Sequence, residues 1–241
     1  MNNNCVEDFQ ALKGTTHHCD TVSQTCTNVG AMNQCLRNGY EWDIDYCTCS
    51  GGCGPDGSCS PVLVDPSGNG FSLTSALNGV SFDINADGIT EQIGWPAVGS
   101  DDAFLVLDRD NNGKIDDGSE LFGNFTPQPT PPAGAEKNGF LALAEYDKSA
   151  NGGNGDGWIG PNDSIYSQLR LWQDINHNGV SESSELKTLM ELGLRRIDLD
   201  YRSSQRIDEF GNQFRYRARV KDAQGQQFSR WAWDVFFVSA R

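Results

Sequence analysis

A short loop pattern, in which Asp and Asn alternate and a Gly follows, is the feature that most constrains the fold of this chain. The clearest copy is DINHNGVSESSEL, from Asp174 to Leu186. It contains few apolar residues, so hydrophobic periodicity does not explain it. Oxygen-bearing side chains at alternate positions, then a glycine at a sharp turn and a late glutamate, are typical of a calcium-binding loop. The pattern therefore predicts a fold built around metal-binding loops.

In this copy, residues 174, 176 and 178 occupy loop positions 1, 3 and 5, and Gly179 takes the turn at position 6. The predicted ligands are Asp174, Asn176, Asn178, the backbone carbonyl of Val180 at position 7 and Glu185 at position 12. Ser181 stands at position 8, where an aliphatic residue is usual. Helical patterns flank the loop on both sides, so we expect an EF-hand-like unit.

Four further loops repeat the pattern with departures. In DRDNNGKIDDGSE the acid comes one residue late, which makes Asp116 and Asp117 additional candidates. In NGDGWIGPND the first ligand is displaced by the insertion KSANGG. The predicted ligands are Asp108, Asp110, Asn112, Lys114 and Glu120; Asp83, Asn85 and Asp87; Asp147, Asn154, Asp156, Trp158 and Asp163; and, in the weakest loop, Asp65, Ser67 and Asn69. The recurrence predicts several bound Ca²⁺ ions, up to about five.

The net charge of the chain is consistent with bound calcium and argues against two classes of partner. The net charge is −15, which argues against nucleic acid and anionic membranes. No apolar run is long enough to cross a bilayer, so no membrane insertion is expected. About five Ca²⁺ would reduce the net charge to about −5. Mg²⁺ fits less well because it rarely takes cages made entirely of protein ligands.

The charge is also unevenly distributed. Residues 195–241 carry ten Lys and Arg against six Asp and Glu, whereas residues 1–194 carry eight against twenty-seven. Alternation in QFRYRARV places Arg215, Arg217 and Arg219 on one predicted strand face. That face is either simply solvated or a contact surface for an acidic partner. The acidic body of a second copy would suit it, and head-to-tail contacts of that kind can build a filament.

All eight cysteines lie in the first 59 residues. They are Cys5, Cys19, Cys26, Cys35, Cys47, Cys49, Cys53 and Cys59. An even number of cysteines in so short a region favours a disulfide-stapled module and an extracellular location. Zinc is the alternative, with His17 and His18 nearby, but paired C-x2-C knuckles are absent. MNNNCVEDFQ has neither the basic start nor the apolar segment of a signal peptide.

Two domains are expected: residues 1–60 as the cysteine-rich module, and residues 61–241 as a calcium-loaded α+β domain. Helical spacing of apolar residues predicts short helices in SIYSQLRLWQ, in ELKTLMELG and around NGFLALAEYD. Alternating patterns predict strands in LRRIDLD and QFRYRARV, and a hairpin that ends in FSRWAWDVFFV. The predicted fold class is α+β with EF-hand-like loops and a C-terminal β-hairpin.

Conventional catalysis has little support, since only three histidines are present and none stands in a nucleophile motif. His177 is expected to face solvent. Asn124 begins a glycosylation sequon, NFT.

The succession PVLVDPSGNG, FDINADG, LVLDRDNNGKIDDGSELFG, NGFLALAEYD and LRLWQDINHNGV resembles the calcium-dependent self-processing module of bacterial iron-regulated RTX-type proteins, over residues about 61–199. The resemblance implies a secreted protein that folds on binding Ca²⁺. In that family, calcium triggers cleavage of an Asp-Pro bond just before the module, and the freed aspartyl end can join a lysine of another chain.

The scissile aspartate of that family is replaced here, because Ser60 precedes Pro61. Serine cannot form the cyclic anhydride that the cleavage needs. One Asp-Pro bond remains, Asp65-Pro66, but Asp65 is also the predicted first ligand of a loop. We therefore expect a secreted calcium-binding structural or adhesive surface protein, not an enzyme, in which calcium clamps the fold. Self-processing at Asp65-Pro66 with protein cross-linking is the alternative.

Overall fold

The computed structural model describes residues 59–222 and 231–240 in full, together with four short strands between residues 19 and 50. The chain divides into two compact units, Met1–Gly57 and Ser58–Arg241. In the first unit, β1 (Cys19–Asp20) pairs with β2 (Thr25–Cys26), and β3 (Glu41–Asp43) pairs with β4 (Thr48–Ser50), both antiparallel. Of the eight cysteine side chains, only that of Cys59 is described, and it is buried. The disulfide prediction otherwise falls outside the described residues.

The second unit consists mainly of short strands. They are β5 (Val62–Val64), β6 (Val80–Phe82), β7 (Glu91–Ile93), β8 (Ala103–Val106), β9 (Trp158–Ile159), β10 (Arg170–Trp172), β11 (Leu186–Thr188), β12 (Leu194–Asp198), β13 (Arg202–Ile207), β14 (Gln213–Asp222) and β15 (Trp231–Phe236). Helix α1 spans Gly139–Ala144, and 3-10 turns span Ala76–Asn78, Glu145–Asp147 and Ser149–Asn151.

An antiparallel sheet organises this unit. Its order is β11-β10-β8-β5-β15-β14-β12-β9, and β13 pairs with part of β14. β6 and β7 form a separate two-stranded sheet. The predicted C-terminal hairpin is confirmed by the pairing of β14 with β15, although its turn lies outside the described residues. The predicted α+β class is wrong: within the described residues the fold is mostly β, with α1 as its only α-helix.

Two of the three predicted helices are replaced by turns and strands. The apolar residues of SIYSQLRLWQ fall on a turn followed by β10, which is paired on one side with β8 and on the other with β11. ELKTLMELG begins with β11 and ends in a turn at Gly193. Leu171 and Trp172 are fully buried in the sheet. Burial between two strands therefore outweighs a weak helical spacing. The helix predicted around NGFLALAEYD is present as α1, with Asn138 capping its first N–H groups.

The central strands are covered on both faces, which explains their continuous apolar runs. On one face, Val64, Leu105 and Leu171 join a core that includes residues of α1, β12 and β14. Alternate residues of the same strands point the other way, and Phe104 and Trp172 pack there against Trp95. This second, aromatic layer lies beneath the loop that begins at Asp174. Within the described residues, no helix is long and apolar enough to span a membrane.

Candidate metal centres

The Asp174 loop connects β10 to β11, so strands flank it on both sides. The expected EF-hand, with its two helices, is therefore wrong for this loop. Within the loop, the first and last acids nevertheless both accept hydrogen bonds from the loop backbone. The two carboxylate oxygens of Asp174 accept the N–H groups of Asn178 and Gly179, at 3.1 and 2.8 Å. Glu185 returns to the start of the loop, where it accepts the N–H of Ile175 at 3.0 Å.

Two buried tryptophans fix these acids from below. The indole N–H of Trp95 donates to Asp174 at 2.7 Å, and that of Trp172 donates to Glu185 at 3.3 Å. Both rings belong to the aromatic layer, where they pack edge-to-face at 5.6 Å. A rigid apolar base therefore sets the separation of the loop's first and last carboxylates.

The same backbone conformation recurs in all five loops. At position 1 an aspartate accepts N–H groups of the residues at positions 5 and 6, including in each case the glycine of position 6. Positions 4 and 6 both have positive φ. Position 4 is Gly68, Ala86, Asn111, Gly155 or His177, and position 6 is Gly70, Gly88, Gly113, Gly157 or Gly179. The three non-glycine residues with positive φ in the described chain are all at position 4, so strain is concentrated in these loops.

Position 5 repeats as well. In four loops its side-chain oxygen accepts the N–H of position 7, and the donors are Ile89, Lys114, Trp158 and Val180. The side chains of Lys114, Trp158 and Val180 carry no oxygen, so only their backbone carbonyls are relevant as predicted ligands. Five segments of different sequence thus adopt one conformation.

The loop that begins at Asp108 contains the tightest group of acids. Carboxylate oxygens of Asp108, Asp110 and Glu120 lie within 4.8 Å of one another, and this group could hold a metal ion. Glu120 is buried and accepts the N–H groups of Arg109 and Asp116 at 2.8 and 2.9 Å. Burial, and then the charges of Asp110 and Asp117, raise its pKa. Three carboxylates that lie this close together offer the oxygen ligands that a hard metal ion such as Ca²⁺ prefers.

The displaced ligand of the NGDGWIGPND loop is brought into place. Asp147 accepts the N–H groups of Gly155 and Gly157 at 2.9 and 3.0 Å, across the intervening insertion. Asp163 is buried and accepts the N–H of Asn154 at 3.1 Å. The side chain of Asn154 in turn donates to Asp156 at 3.0 Å. These hydrogen bonds bring the displaced Asp147 into the same loop as Asn154, Asp156 and Asp163.

Sequence reasoning missed an acid in the DINADG loop. Glu91 stands at position 9, where its two oxygens accept from the Asn85 side chain at 2.8 Å and the Ile84 N–H at 3.2 Å. Burial, together with the charge of Asp87, raises the pKa of Glu91 to about 7. Asp83 also has a raised pKa, caused first by burial and then in part by Asp87 and Asp117. Counting positions beyond Gly88 would have found Glu91.

The DPSGNG loop is completed by acids that lie more than 30 residues later in the sequence, so no local pattern could have identified them. Asp101 accepts the N–H of Ser67 at 3.0 Å and the side chain of Asn69 at 2.9 Å. Burial pushes the pKa of Asp101 upward, but these hydrogen bonds outweigh it and hold the pKa below its usual value. Asp102 beside it is buried, which raises its pKa to about 6. Asp65 itself accepts the N–H groups of Gly68 and Gly70, at 2.7 and 2.6 Å.

The loops also bond to one another. The Ser181 hydroxyl accepts the N–H of Ile115 at 2.7 Å and lies 3.3 Å from its carbonyl oxygen. Both residues occupy position 8 of their loops, so the unusual serine joins two loops. The N–H of Gly118 donates to the carbonyl of Asp83 at 2.7 Å, which joins the DINADG loop to the loop of Asp108. His177 was expected to face solvent, but its ring nitrogens lie 2.7 and 2.9 Å from the carbonyls of Pro96 and Asn78.

Comparison with known proteins identifies the family. The model of the SPM domain matches residues 62–238, which includes the C-terminal strands beyond the region of the predicted resemblance. Residues of this chain are 40% identical over 144 positions to the iron-regulated protein FrpA of Neisseria meningitidis serogroup C. The match covers 59% of this chain and 12% of that relative, so the chain corresponds to a small part of it. The predicted resemblance is thus confirmed at the level of the family, and the chain belongs to the SPM domain family.

Proposed function

We propose that this chain is a calcium-controlled module of a secreted bacterial protein, in which Ca²⁺ binding clamps the loops of the second unit into one structure. The observation that carries the proposal is the shared conformation of the five loops, with an aspartate at position 1 and positive φ at positions 4 and 6. Such a conformation turns alternate side chains inward, where their oxygens can surround a large cation. In the Asp174 loop, the indole hydrogen bonds that hold the carboxylates of Asp174 and Glu185 in place support the same conclusion.

Electrostatics favour the same proposal. Glu91, Glu120 and Glu185 all have raised pKa values, each caused first by burial and then in part by neighbouring acids. A bound Ca²⁺ would remove this repulsion and hold the carboxylates ionised. The ligands are carboxylates, amides and backbone carbonyls, which are the donors that Ca²⁺ takes. The loops therefore suit Ca²⁺ both in the chemistry of their ligands and in their conformation.

A passive structural or adhesive role at the cell surface is the finer proposal. The bonded loops connect β6, β8, β10 and β11 into a single framework, and a metal at each loop would stiffen it. Ca²⁺ that binds only the folded state stabilises it by mass action. An extracellular location suits this use, because calcium there is abundant enough for weak sites.

Self-processing with cross-linking is the second candidate, and membership of the SPM domain family favours it. Two features of this chain restrict where it can occur. Ser60 stands before Pro61, and its hydroxyl accepts the N–H of Asn124 at 3.1 Å. Asp65, the acid of the remaining Asp-Pro bond, already accepts three backbone N–H groups and is 6% exposed. Cleavage at Asp65-Pro66 would require this carboxylate to leave its loop and attack its own backbone carbonyl carbon.

Native mass spectrometry, with Ca²⁺ and with a chelator, separates these candidates. The calcium-clamp proposal predicts an intact chain that gains up to about five ions. A chain that binds no Ca²⁺ would refute it. Fragments ending at Asp65, lost in the Asp65→Asn variant, would instead establish self-processing and overturn the passive role.

A further inference from the structure

Arginines and aromatic rings alternate in contact on one face of strands β13, β14 and β15. The guanidinium carbon of Arg206 lies 4.2 Å from the ring centre of Phe214 and 5.5 Å from that of Trp233. The guanidinium carbon of Arg217 lies 5.3 Å from Trp233 and 4.6 Å from Trp231. These five residues form a continuous stack, which we call the arginine–aromatic ladder.

Two exposed arginines extend the ladder. Arg202 on β13 is the cross-strand partner of Arg217, and Arg219 is the partner of Trp231. Arg215 lies apart from them, because the register between β14 and β15 shifts after Phe214. Its guanidinium packs over Phe236 and pairs with Glu136. The arginine face predicted from QFRYRARV is therefore rearranged, with Arg202 and Arg206 in place of Arg215.

The four arginines on this face have no acidic partner among the described residues. They are Arg202, Arg206, Arg217 and Arg219. Cross-strand neighbours lie about 5 Å apart and alternate residues along a strand about 7 Å apart, so these cations repel one another. Packing against the rings accounts for Arg206 and Arg217. It does not account for Arg202 and Arg219, which are exposed and stack on no described ring.

We propose that this ladder face binds an anionic polysaccharide through its carboxylate or sulfate groups. The rings contact the guanidinium groups of Arg206 and Arg217, whereas Arg202 and Arg219 are exposed, so their N–H edges can meet a ligand. Such edges bind oxyanions bidentately. Four arginines on one sheet face, without acidic partners in the described part of the chain, suit a polymer with repeated anionic groups. Neutral sugars, which need free aromatic faces, are not bound.

A second copy of the chain fits this face less well. The acidic surface that would meet the arginines consists largely of the loops proposed to hold Ca²⁺, and bound Ca²⁺ lowers their charge. The polysaccharide proposal goes beyond the calcium proposal and does not depend on cleavage.

Binding to immobilised heparin, alginate and dextran tests the inference, with the full chain in millimolar Ca²⁺ at low and high salt. These probes present sulfate, carboxylate and no charge. The proposal predicts binding to at least one of the anionic polymers, weakened by salt, and none to dextran. The double variant Arg202→Gln/Arg219→Gln should bind about five- to tenfold more weakly. Both side chains are exposed, so the fold should survive.

The matched control is Lys137→Gln/Lys187→Gln, which removes the same charge elsewhere and should change affinity less than about twofold. Equal weakening by both double variants would show a nonspecific charge effect and overturn the site. Unchanged binding by the arginine variant would do the same. Tighter binding to polyglutamate or to an oligonucleotide than to either polysaccharide would assign the face to another class of partner. Self-association of the wild type that the arginine variant abolishes would assign the face to contact between copies of the chain.

Discussion

At the scale of single residues, Asp234 shows how burial controls a charge away from the metal loops. Its carboxylate is fully buried on β15 and accepts the N–H of Gly139, the first residue of α1, at 2.7 Å. Burial raises its pKa from 3.8 to about 6, and the hydrogen bond from Gly139, the nearby Ser60 hydroxyl and the charge of Arg215 offset only part of the rise. Tyr216 also faces this charge, and burial raises its pKa to about 12. The folded state therefore favours a neutral Asp234.

A pH dependence follows from that shift. Between about pH 4 and 6 the folded protein holds this proton more tightly than the unfolded chain. The stability contributed by Asp234 is thus complete below its unfolded pKa and is lost as pH rises through the folded one. Asp234→Asn cannot ionise and keeps an acceptor for Gly139. The wild type should lose about 3 kcal/mol relative to the variant between about pH 4 and 7.

Urea unfolding at a series of pH values, in saturating Ca²⁺, measures the difference. The control is Asp200→Asn, because Asp200 is exposed. That variant should follow the wild type within about 0.5 kcal/mol. Parallel curves for wild type and Asp234→Asn would contradict the assignment of the shifted pKa to Asp234.

At the scale of elements, the sequence predicts the loops far better than the segments between them. Loop conformation is encoded locally, by a carboxylate at position 1 and a glycine at position 6, so DINADG and DRDNNG could be recognised without the rest of the chain. Whether SIYSQLRLWQ forms a helix or a strand depends on its pairing with β8 and β11, which the local sequence does not show. The contribution of Asp101 to the DPSGNG loop depends on the tertiary fold in the same way. The hydrogen bonds between Ser181 and Ile115 explain why serine replaces the usual aliphatic residue at position 8, which the local pattern alone could not explain.

Contact between loops makes a prediction at this scale. A Cβ on Gly118 would overlap the carbonyl oxygen of Ile84, so Gly118→Ala must push the DINADG loop away from the loop of Asp108. We expect destabilisation by about 2–4 kcal/mol and weaker Ca²⁺ binding at both loops. Calorimetric titration with Ca²⁺ measures the binding.

Gly123→Ala is the matched control for that variant. Its Cβ would overlap the carbonyl oxygen of Ser60, outside the loops. It should destabilise the protein similarly and leave the number of strong Ca²⁺ sites unchanged. If both variants lose the same sites, Gly118 has no specific effect on the loops, and global destabilisation explains the result.

At the scale of the whole molecule, the central question is what holds so acidic a chain in a folded state. Two ion pairs of the described residues, Lys148–Glu145 and Arg215–Glu136, both lie outside the loop centres. The acids of the loops are instead hydrogen-bonded to N–H groups of the backbone, of tryptophan indoles and of asparagine amides, which neutralise only part of their charge. Without a cation, repulsion within each loop and between bonded loops opposes folding. The five loops should therefore respond together to calcium.

Thermal unfolding with Ca²⁺ and with EDTA tests that expectation. At a tenfold excess of Ca²⁺ over Kd, each occupied site adds about 1.4 kcal/mol to the free energy of unfolding, and five sites add about 7 kcal/mol. The melting temperature should rise steeply with Ca²⁺, and Mg²⁺ at the same concentration should produce a smaller rise. NaCl matched in ionic strength controls for simple screening of the acids. A melting temperature that is indifferent to EDTA, or equal increases with Ca²⁺ and NaCl, would mean that the loops are hydrogen-bonded turns without bound metal.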